Sequence, residues 1–142
     1  MPQQQTRERI YDLYTAYGKG RLDFVLNSFD DDAEFISYAP INVFPYLGRR
    51  HGKAAIAATM KQAHAEFEHL SWQPIFLVVE KSDAAVIVLA RLRQHSTGRI
   101  IMLLVAHFIR FRKGLIVELR EFMDSFDAVQ QVLGREIDLS KS

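Results

Sequence analysis

The sequence contains no cysteine among its 142 residues. This absence excludes disulfide bonds, thiolate metal sites and a cysteine nucleophile. A Gly-rich phosphate loop and a G-x-S-x-G nucleophile elbow are also missing. His51, His64, His69 and His95 do not have the spacing of zinc ligands, and the run Asp30–Asp32 is not followed by further spaced oxygen ligands. We therefore expect neither a metal ion nor a cofactor.

Long hydrophobic runs are absent as well. No apolar segment approaches the roughly 20 residues that a membrane-spanning helix needs, and the N-terminal MPQQQTRERI lacks the apolar core of a secretory signal. Charge of one sign is not in excess, because 18 basic residues nearly balance 17 acidic ones and leave a net charge of +1. We expect a cytoplasmic protein with no membrane partner, and the charge gives no case for a nucleic-acid partner.

Large aromatic side chains, in contrast, are plentiful. Ten Phe and five Tyr are available to fill a core or to line a cavity. A chain of this length can build one good core, and no repeat, low-complexity segment or linker divides it. We predict a single domain over residues 1–142.

Apolar residues at helical spacing predict four helices. Thr6 is a suitable N-cap for the first helix, which carries Tyr14 on its apolar stripe, and Met60 lies on the buried stripe of the third. The predicted helices run from Thr6 to Gly18, Leu22 to Phe29, Lys53 to His69 and Ser125 to Gly134. The segment Ala39–Gly52 contains two prolines and two glycines, which favours a long loop of the kind that often covers a site.

Short apolar runs between turn residues predict five strands. These are Glu34–Tyr38, Trp72–Lys81, Ala84–Arg93, Arg99–Arg112 and Leu115–Met123. The last four are joined by turns short enough for antiparallel hairpins. Helices that precede and follow a strand meander indicate an α+β domain in which the helices pack on one face of a curved sheet.

The last hairpin allows a prediction of which side chains share a face. If Lys113-Gly114 is a two-residue turn, Arg112 lies opposite Leu115 and the pairing continues one residue at a time. The predicted pairs are then Ile109 with Glu118, His107 with Arg120, Val105 with Phe122 and Leu103 with Asp124. This places a polar set on an apolar face, which is the composition of a small-molecule site, although a bulge would reverse every assignment beyond it.

Residues of this set can carry acid–base chemistry. His107 changes its charge near neutral pH and is the candidate for proton transfer. Asp124 is the candidate to orient His107 or to hold a water, and Arg120 to keep Asp124 ionised or to bind an anionic ligand. Tyr14 is the candidate donor to a carbonyl or enolate oxygen. The alternatives are that Asp124 only caps the last helix, that Arg120 only pairs with Glu118, and that Tyr14 and His107 only pack in the core.

The chain resembles the nuclear transport factor 2-like superfamily, which includes SnoaL-like polyketide cyclases and ketosteroid isomerases. The resemblance lies in RLDFVLNSFDDDAEF, FPYLGRRHGKAAI and HFIRFRKGLIVELREFMD, which occur in the family's order. It implies a cone-shaped domain with a mixed or antiparallel sheet, a pocket between the concave sheet face and the helices, and a homodimer formed through the sheet. It does not imply one activity, because this fold hosts enzymes, binding proteins and association modules.

The resemblance also shows which family activities lack their residues here. The general base of the ketosteroid isomerases falls at Ser37, which cannot act as that base, and their second acid falls at His107. LREFMD resembles limonene epoxide hydrolases, with Asp124 as one carboxylate, but the remaining Arg and Asp of that site fall at Val88 and Ala90. The chain is therefore expected to be neither enzyme in its known form.

The leading hypothesis is a small-molecule-binding domain whose enzyme activity, if present, is of the isomerase, cyclase or hydrolase type on an apolar carbonyl or cyclic substrate. His107, Asp124 and Tyr14 are its candidate catalytic residues. Its candidate substrate-binding residues are Arg120, Phe122, Val105, Ile109, Met60, Val88, Ala90 and Ser37. The first alternative is a non-catalytic binding or dimerisation module, for which Leu104, Ala106 and Phe108 would suit a sheet interface. The second is an acidic partner bound by a stripe of arginines on the outer sheet face.

Overall fold

A computed structural model of the chain describes residues 2–141. It contains a six-stranded sheet, four α-helices and a final 3₁₀ turn. The helices are α1 (Gln3–Gly18), α2 (Leu22–Leu26), α3 (Lys53–Glu66) and α4 (Ser125–Leu133). The strands are β1 (Phe29–Ser37), β2 (Arg49–His51), β3 (Phe67–Glu80), β4 (Asp83–Gln94), β5 (Ile100–Arg112) and β6 (Leu115–Met123). This confirms the predicted α+β class.

The sheet is mixed and open, with the strand order β2-β1-β6-β5-β4-β3. All neighbouring strands are antiparallel except β1 and β6, which run parallel. The parallel pair places the end of β1 beside β6, with Ser37 in register with Glu121. This pairing brings an early segment of the chain against the final hairpin.

Strict alternation along β4 and β5 separates an inner face from an outer face. On β5 every second residue from Ile101 to Phe111 is buried, and the residues between them are exposed or partly exposed. The matching residues of β4, from Ala84 to Leu92, are buried beside them. Helices α1, α2 and α3 contribute Ile10, Val25, Ile56 and other apolar residues to this inner side, so the core lies between the sheet and these helices.

Two features of the final segment agree with what the sequence predicts. Lys113 and Gly114 both have positive φ angles, and Arg112 pairs with Leu115, so the hairpin has the predicted two-residue turn. Asp124 caps α4, since its carboxylate Oδ1 accepts a hydrogen bond from the backbone N–H of Asp127 at 3.1 Å.

The register predicted beyond this turn is wrong. The pairing is irregular between Arg110 and Phe111, because Phe111 pairs with Ile116 whereas Arg110 pairs with Glu118. The extra residue on β6 is a β-bulge, and it shifts every later pair by one. His107 therefore lies opposite Glu121, and Ile109 lies opposite Leu119. Glu118, Arg120 and Phe122, which the sequence placed beside His107, belong to the outer face.

Several predicted element boundaries are also wrong. Helix α1 begins before Thr6, whose hydroxyl donates to the carbonyl of Pro2 instead of capping the helix. Asp30–Asp32 belong to β1, where an irregular stretch of the pairing with β6 leaves their side chains outside the core. Helix α3 ends at Glu66, because Phe67 pairs with Gln94 and begins β3.

The predicted loop Ala39–Gly52 contains the short strand β2, which pairs with β1. Within the described chain, no helix combines the length and the apolar character required to cross a membrane.

The turn at Lys113-Gly114 gives a test of the hairpin geometry. Gly114 has a φ of 78°, and an added Cβ would have only ordinary contact with Arg9, so Gly114→Ala introduces backbone strain without a clash. We expect Gly114→Ala to lower the free energy of unfolding by about 1–2 kcal/mol. Lys113→Asn, which suits a positive φ, should leave that free energy unchanged or raise it. Urea unfolding of both variants checks this, and equal stabilities would contradict the assigned turn.

Candidate functional site

Four polar side chains form a continuous hydrogen-bonded chain in the interior. The Tyr14 hydroxyl is hydrogen-bonded to Nδ1 of His107. His107 Nε2 lies 2.8 Å from Oε2 of Glu121, and the Ser37 hydroxyl donates to Oε1 of Glu121 at 2.7 Å. All four side chains are less than 10% exposed, with Glu121 at 6%. The chain thus links α1, β5, β6 and β1 through one buried carboxylate.

All four residues belong to helices or strands, and the packing of these elements brings their side chains together. Glu121 is in register with His107 of β5 on one side and with Ser37 of β1 on the other. Tyr14 reaches His107 from α1, where it lies one turn after Ile10 on the buried face of the helix. The side chains therefore lie on packed helices and strands, which fixes their positions.

Protonation states follow from burial and from these hydrogen bonds. Burial would raise the pKa of the Glu121 carboxyl, but the hydrogen bond and charge of His107, together with the hydrogen bond from Ser37, outweigh burial and hold the pKa of Glu121 below its ordinary value. Burial and the Glu121 charge raise the pKa of Tyr14 well above its ordinary value. Glu121 is therefore ionised at neutral pH, and Tyr14 is a neutral phenol.

These states determine the direction of the hydrogen bonds. An ionised Glu121 only accepts, so His107 donates to it through Nε2–H. In the neutral imidazole, Nδ1 is then the acceptor and the Tyr14 hydroxyl donates to it. Each ring nitrogen of His107 thus has a fixed hydrogen-bond partner, the Tyr14 hydroxyl at Nδ1 and the Glu121 carboxylate at Nε2.

The hydrogen-bonded chain borders an internal cavity of about 120 Å³ between the sheet and the helices. Its walls are mostly apolar and aromatic. The apolar wall residues come from the helices, the sheet and the β1–β2 connection, and they include Leu13, Val25, Phe44, Leu47, Met60, Phe67, Val105, Ile109, Leu119 and Met123. The polar residues on the wall are Tyr14, Tyr17, Tyr46, Thr59, His69, Trp72, His107 and Glu121. The cavity has apolar walls and a few fixed polar groups, which is the composition of small-molecule sites.

A group of rings supports one side of this cavity. Trp72 donates from Nε1 to Nδ1 of His69 at 2.9 Å, and Nε2 of His69 lies 3.3 Å from the Ala63 carbonyl oxygen. The His69 ring stacks on His64 with 3.7 Å between centroids, and the edge of Tyr17 packs against both histidines. Burial and the neighbouring His64 lower the pKa of His69 to about 4, so His69 is neutral near pH 7.

The structure brings together some of the predicted site residues. Tyr14 contacts His107 directly, and Met60, Val105 and Ile109 lie on the cavity wall. Ser37 reaches the site through Glu121. Val88 and Ala90 are buried on the inner face of β4 without bordering the cavity.

Three predicted site residues lie elsewhere. Arg120 pairs with Glu118 at 2.7 Å, and Phe122 stacks on Tyr38, all on the outer face. Asp124 is exposed at the start of α4, where it caps the helix instead of orienting His107.

Glu121 fills the position that the sequence reasoning gave to Asp124. The β-bulge turns Glu121 inward, and the sequence offers no sign of this beyond the neighbouring acids Glu118, Glu121 and Asp124, each of which is a candidate partner for His107. Tyr17, Tyr46, His69 and Trp72 were also missed as wall residues, and Tyr17 alone had a signal, its position on the stripe of α1.

Comparisons with known proteins agree with this architecture. The sequence model of the SnoaL-like domain matches residues 10–119. A solved structure of a proposed isomerase from Rhodopseudomonas palustris is 30% identical, with 87% of this chain and 91% of that chain covered and a TM-score of 0.79. A nuclear transport factor 2-like protein from Burkholderia xenovorans LB400 is 25% identical, with 93% and 98% covered and a TM-score of 0.77.

A third solved structure shares the fold alone. It is a protein of ketosteroid isomerase-like fold from Catenulispora acidiphila in complex with trimethylamine, 10% identical, with 86% and 88% covered and a TM-score of 0.73. A search of curated proteins returned no match.

The neutral His69 predicts a pH dependence of stability. The pKa of His69 is about 4 in the folded chain against an ordinary value of 6.5, so the unfolded state binds the proton first as pH falls, and the free energy of unfolding decreases from pH 6.5 to pH 4. Because the ring is partly exposed, we expect a contribution of about 2 kcal/mol. His69→Gln should flatten this part of the profile in urea unfolding. An unchanged profile in His69→Gln would refute the assignment.

Proposed function

Because this chain belongs to the SnoaL-like domain family, we propose that its internal cavity binds a small, mostly apolar molecule and that Tyr14 and His107 transfer a proton at an oxygen of that molecule. The observation that carries the proposal is the hydrogen-bonded chain from Tyr14 to Glu121, which ends at the wall of an apolar cavity. Hydrogen-bonded titratable side chains at the wall of a cavity are a common arrangement for catalysis.

The geometry assigns different roles to Tyr14 and His107. Both ring nitrogens of His107 are occupied, Nδ1 by Tyr14 and Nε2 by Glu121. Within this arrangement the ring nitrogens of His107 would exchange a proton with a ligand through Tyr14, which lines the cavity. Tyr14 would receive the proton of a ligand hydroxyl while its own proton passes to Nδ1, and the resulting imidazolium would lie beside the Glu121 carboxylate. In the reverse direction the same groups protonate an enolate oxygen.

This is the acid–base half of a keto–enol tautomerisation. It fits an isomerase-type reaction on a cyclic carbonyl compound, and the similar protein from Rhodopseudomonas palustris is itself described as a proposed isomerase. The resemblance to the ketosteroid isomerases puts Ser37 at the position of their general base, so proton exchange at carbon would rely on solvent or on the ligand itself. The second candidate function is ligand binding without turnover, which is favoured by the complete occupation of both His107 nitrogens.

Proton transfer can be tested with cyclohexanone in D₂O, following deuterium incorporation next to the carbonyl by NMR. We expect the protein to accelerate this exchange and Tyr14→Phe to reduce the acceleration by roughly 100-fold or more, because Phe cannot transfer a proton. Glu121→Gln, which keeps a polar group of similar size and removes the charge, should cause a comparable loss.

Tyr11→Phe is the matched control, since Tyr11 is an exposed tyrosine on the same helix. Exchange that is equally fast in Tyr14→Phe and in the native protein would contradict the relay. Ligand binding without any acceleration would establish the second candidate function instead.

We also propose that a second copy of the chain covers the outer face of the sheet. This face carries large exposed apolar side chains on adjacent strands: Phe76, Val78, Ile87, Met102, Leu104, Phe108 and Phe122. Phe122 contacts both Tyr38 and Phe108, with 4.5 and 5.7 Å between ring centroids. The ion pairs Arg110–Asp83 and Arg120–Glu118 lie on the same face. A mainly apolar surface that carries a few charged pairs is typical of homodimer interfaces.

A charge placed at the centre of this face should prevent dimerisation. Ile87 is 38% exposed and pairs with Phe76 and Ala106, so in a face-to-face dimer Ile87→Glu would bury a carboxylate among apolar neighbours. We expect a dimer for the native chain and a monomer for Ile87→Glu in light scattering after size-exclusion chromatography. The control Ile41→Glu alters an apolar residue that is 58% exposed in the β1–β2 connection, and it should remain dimeric. A native monomer at micromolar concentration would refute the proposal.

A further inference from the structure

We propose that Tyr17 and Tyr46 form a second polar group on the cavity wall, that they donate hydrogen bonds to a ligand oxygen, and that the ligand is an uncharged single-ring carbonyl compound. This inference rests on the proposed binding function of the cavity. It adds the chemical class of the ligand and the residues that select it.

The hydroxyls of Tyr17 and Tyr46 have no hydrogen-bond partner in the described part of the protein. Both residues line the cavity, and within residues 2–141 no side chain or backbone group is hydrogen-bonded to either hydroxyl. Tyr14, one turn before Tyr17 on the same face of α1, differs because its hydroxyl is bonded to His107. An accessible hydroxyl on the cavity wall that makes no hydrogen bond within the protein can donate to an acceptor on a ligand.

Both rings are held in place by their surroundings. The Tyr17 ring has edge contacts to His64, His69 and Trp72, with centroids 4.8, 5.3 and 5.1 Å away. Tyr46 lies in the β1–β2 connection, where its ring has an edge contact to Phe44 with 6.3 Å between centroids and its carbonyl accepts a hydrogen bond from the buried Thr59 hydroxyl at 3.0 Å. Donors with fixed positions lose little entropy when a ligand binds, so two such phenols favour an acceptor placed between them.

The two tyrosines act as donors at neutral pH. Burial, followed by the charge of Glu121, raises the pKa of Tyr17, and Tyr46 lies close enough to contribute. Burial, together with the charges of Glu66 and Glu121, raises the pKa of Tyr46. Both remain protonated, so each offers an O–H to a lone pair. An ammonium ligand has no lone pair to accept these bonds, whereas a carbonyl oxygen has two.

Charge on the wall excludes acids. The wall residues that the structure describes include no lysine or arginine, and Glu121 is an ionised carboxylate. A ligand carboxylate or phosphate would meet a like charge in a low-dielectric cavity without a compensating cation. Size limits the ligand further, because a cavity of about 120 Å³ is close to the engineered cavity of roughly 150 Å³ that binds benzene. One six-membered ring fits.

The test compares three probes that share a six-membered ring: cyclohexanone, methylenecyclohexane and cyclohexanecarboxylate. Binding to the full chain is measured by NMR titration at pH 7. We expect the ketone and the hydrocarbon to bind and the carboxylate to show no saturable binding. The absolute affinities of the ketone and the hydrocarbon also reflect their different hydration. The decisive quantity is therefore the ratio of each probe's affinity for the native protein to its affinity for Tyr17→Phe or Tyr46→Phe.

Each substitution should weaken cyclohexanone binding by roughly threefold to tenfold, which is the range for one neutral hydrogen bond. Methylenecyclohexane should bind to each Phe variant as tightly as to the native protein or more tightly, because in the variant no tyrosine hydroxyl is left without an acceptor when this hydrocarbon binds. Tyr11→Phe is again the control and should change neither affinity. Thermal unfolding without ligand should not fall in Tyr17→Phe or Tyr46→Phe, since neither hydroxyl has a partner to lose.

The outcomes separate this inference from the proposed function. If none of the three probes binds, the proposed binding function fails, and this inference fails with it. If the ketone and the hydrocarbon both bind but Tyr17→Phe and Tyr46→Phe change the two affinities by the same factor, the cavity binds ligands and the tyrosine assignment is wrong. Saturable binding of the carboxylate would overturn the charge argument. A selective loss of ketone affinity in both variants supports the proposal.

Discussion

A single extra residue in β6 determines which side chains face the helices. The irregularity opposite Arg110 and Phe111 shifts the remaining register of the β5–β6 hairpin, so that Glu121 points into the core and Arg120 points outward. Without this bulge the core would receive a guanidinium opposite His107, together with Glu118, and the apolar Leu119 would be exposed. Bulges of this kind re-aim side chains beside functional sites, and this one supplies the buried acid.

The buried acid in turn constrains the elements around it. A carboxylate at this depth is tolerated only while its hydrogen bonds are made, and Glu121 obtains them from His107 and Ser37. Those partners belong to β5 and β1, and His107 extends the connection to Tyr14 on α1. Loss of any member leaves polar groups unpaired in an apolar surrounding. The hydrogen-bonded chain therefore fixes α1 against the sheet and β1 against β6, and it keeps the cavity beside it at a definite size.

The sequence predicted the fold class, the strand meander and the Lys113-Gly114 turn, and it offered Tyr14 and His107 as separate candidate site residues. These signals are local, since they depend on periodicity and on turn residues. Glu121 was missed because a bulge inside a continuous run has no local signature. Tyr46, His69 and Trp72 reach the cavity only through tertiary packing of a loop and a bulged strand.

The same strands carry both proposed interactions, one on each face. His107 and Phe108 are adjacent in β5, yet one belongs to the buried acid–base chain and the other to the exposed apolar face. Because side chains alternate along a strand, only the thickness of the backbone separates the cavity wall from the surface that a second copy would cover. A cavity of about 120 Å³ changes appreciably when the curvature of its sheet changes. Contact between two copies of the sheet would therefore act directly on the shape of the cavity, and the rigidity of the ligand site would depend on the partner that supports the opposite face.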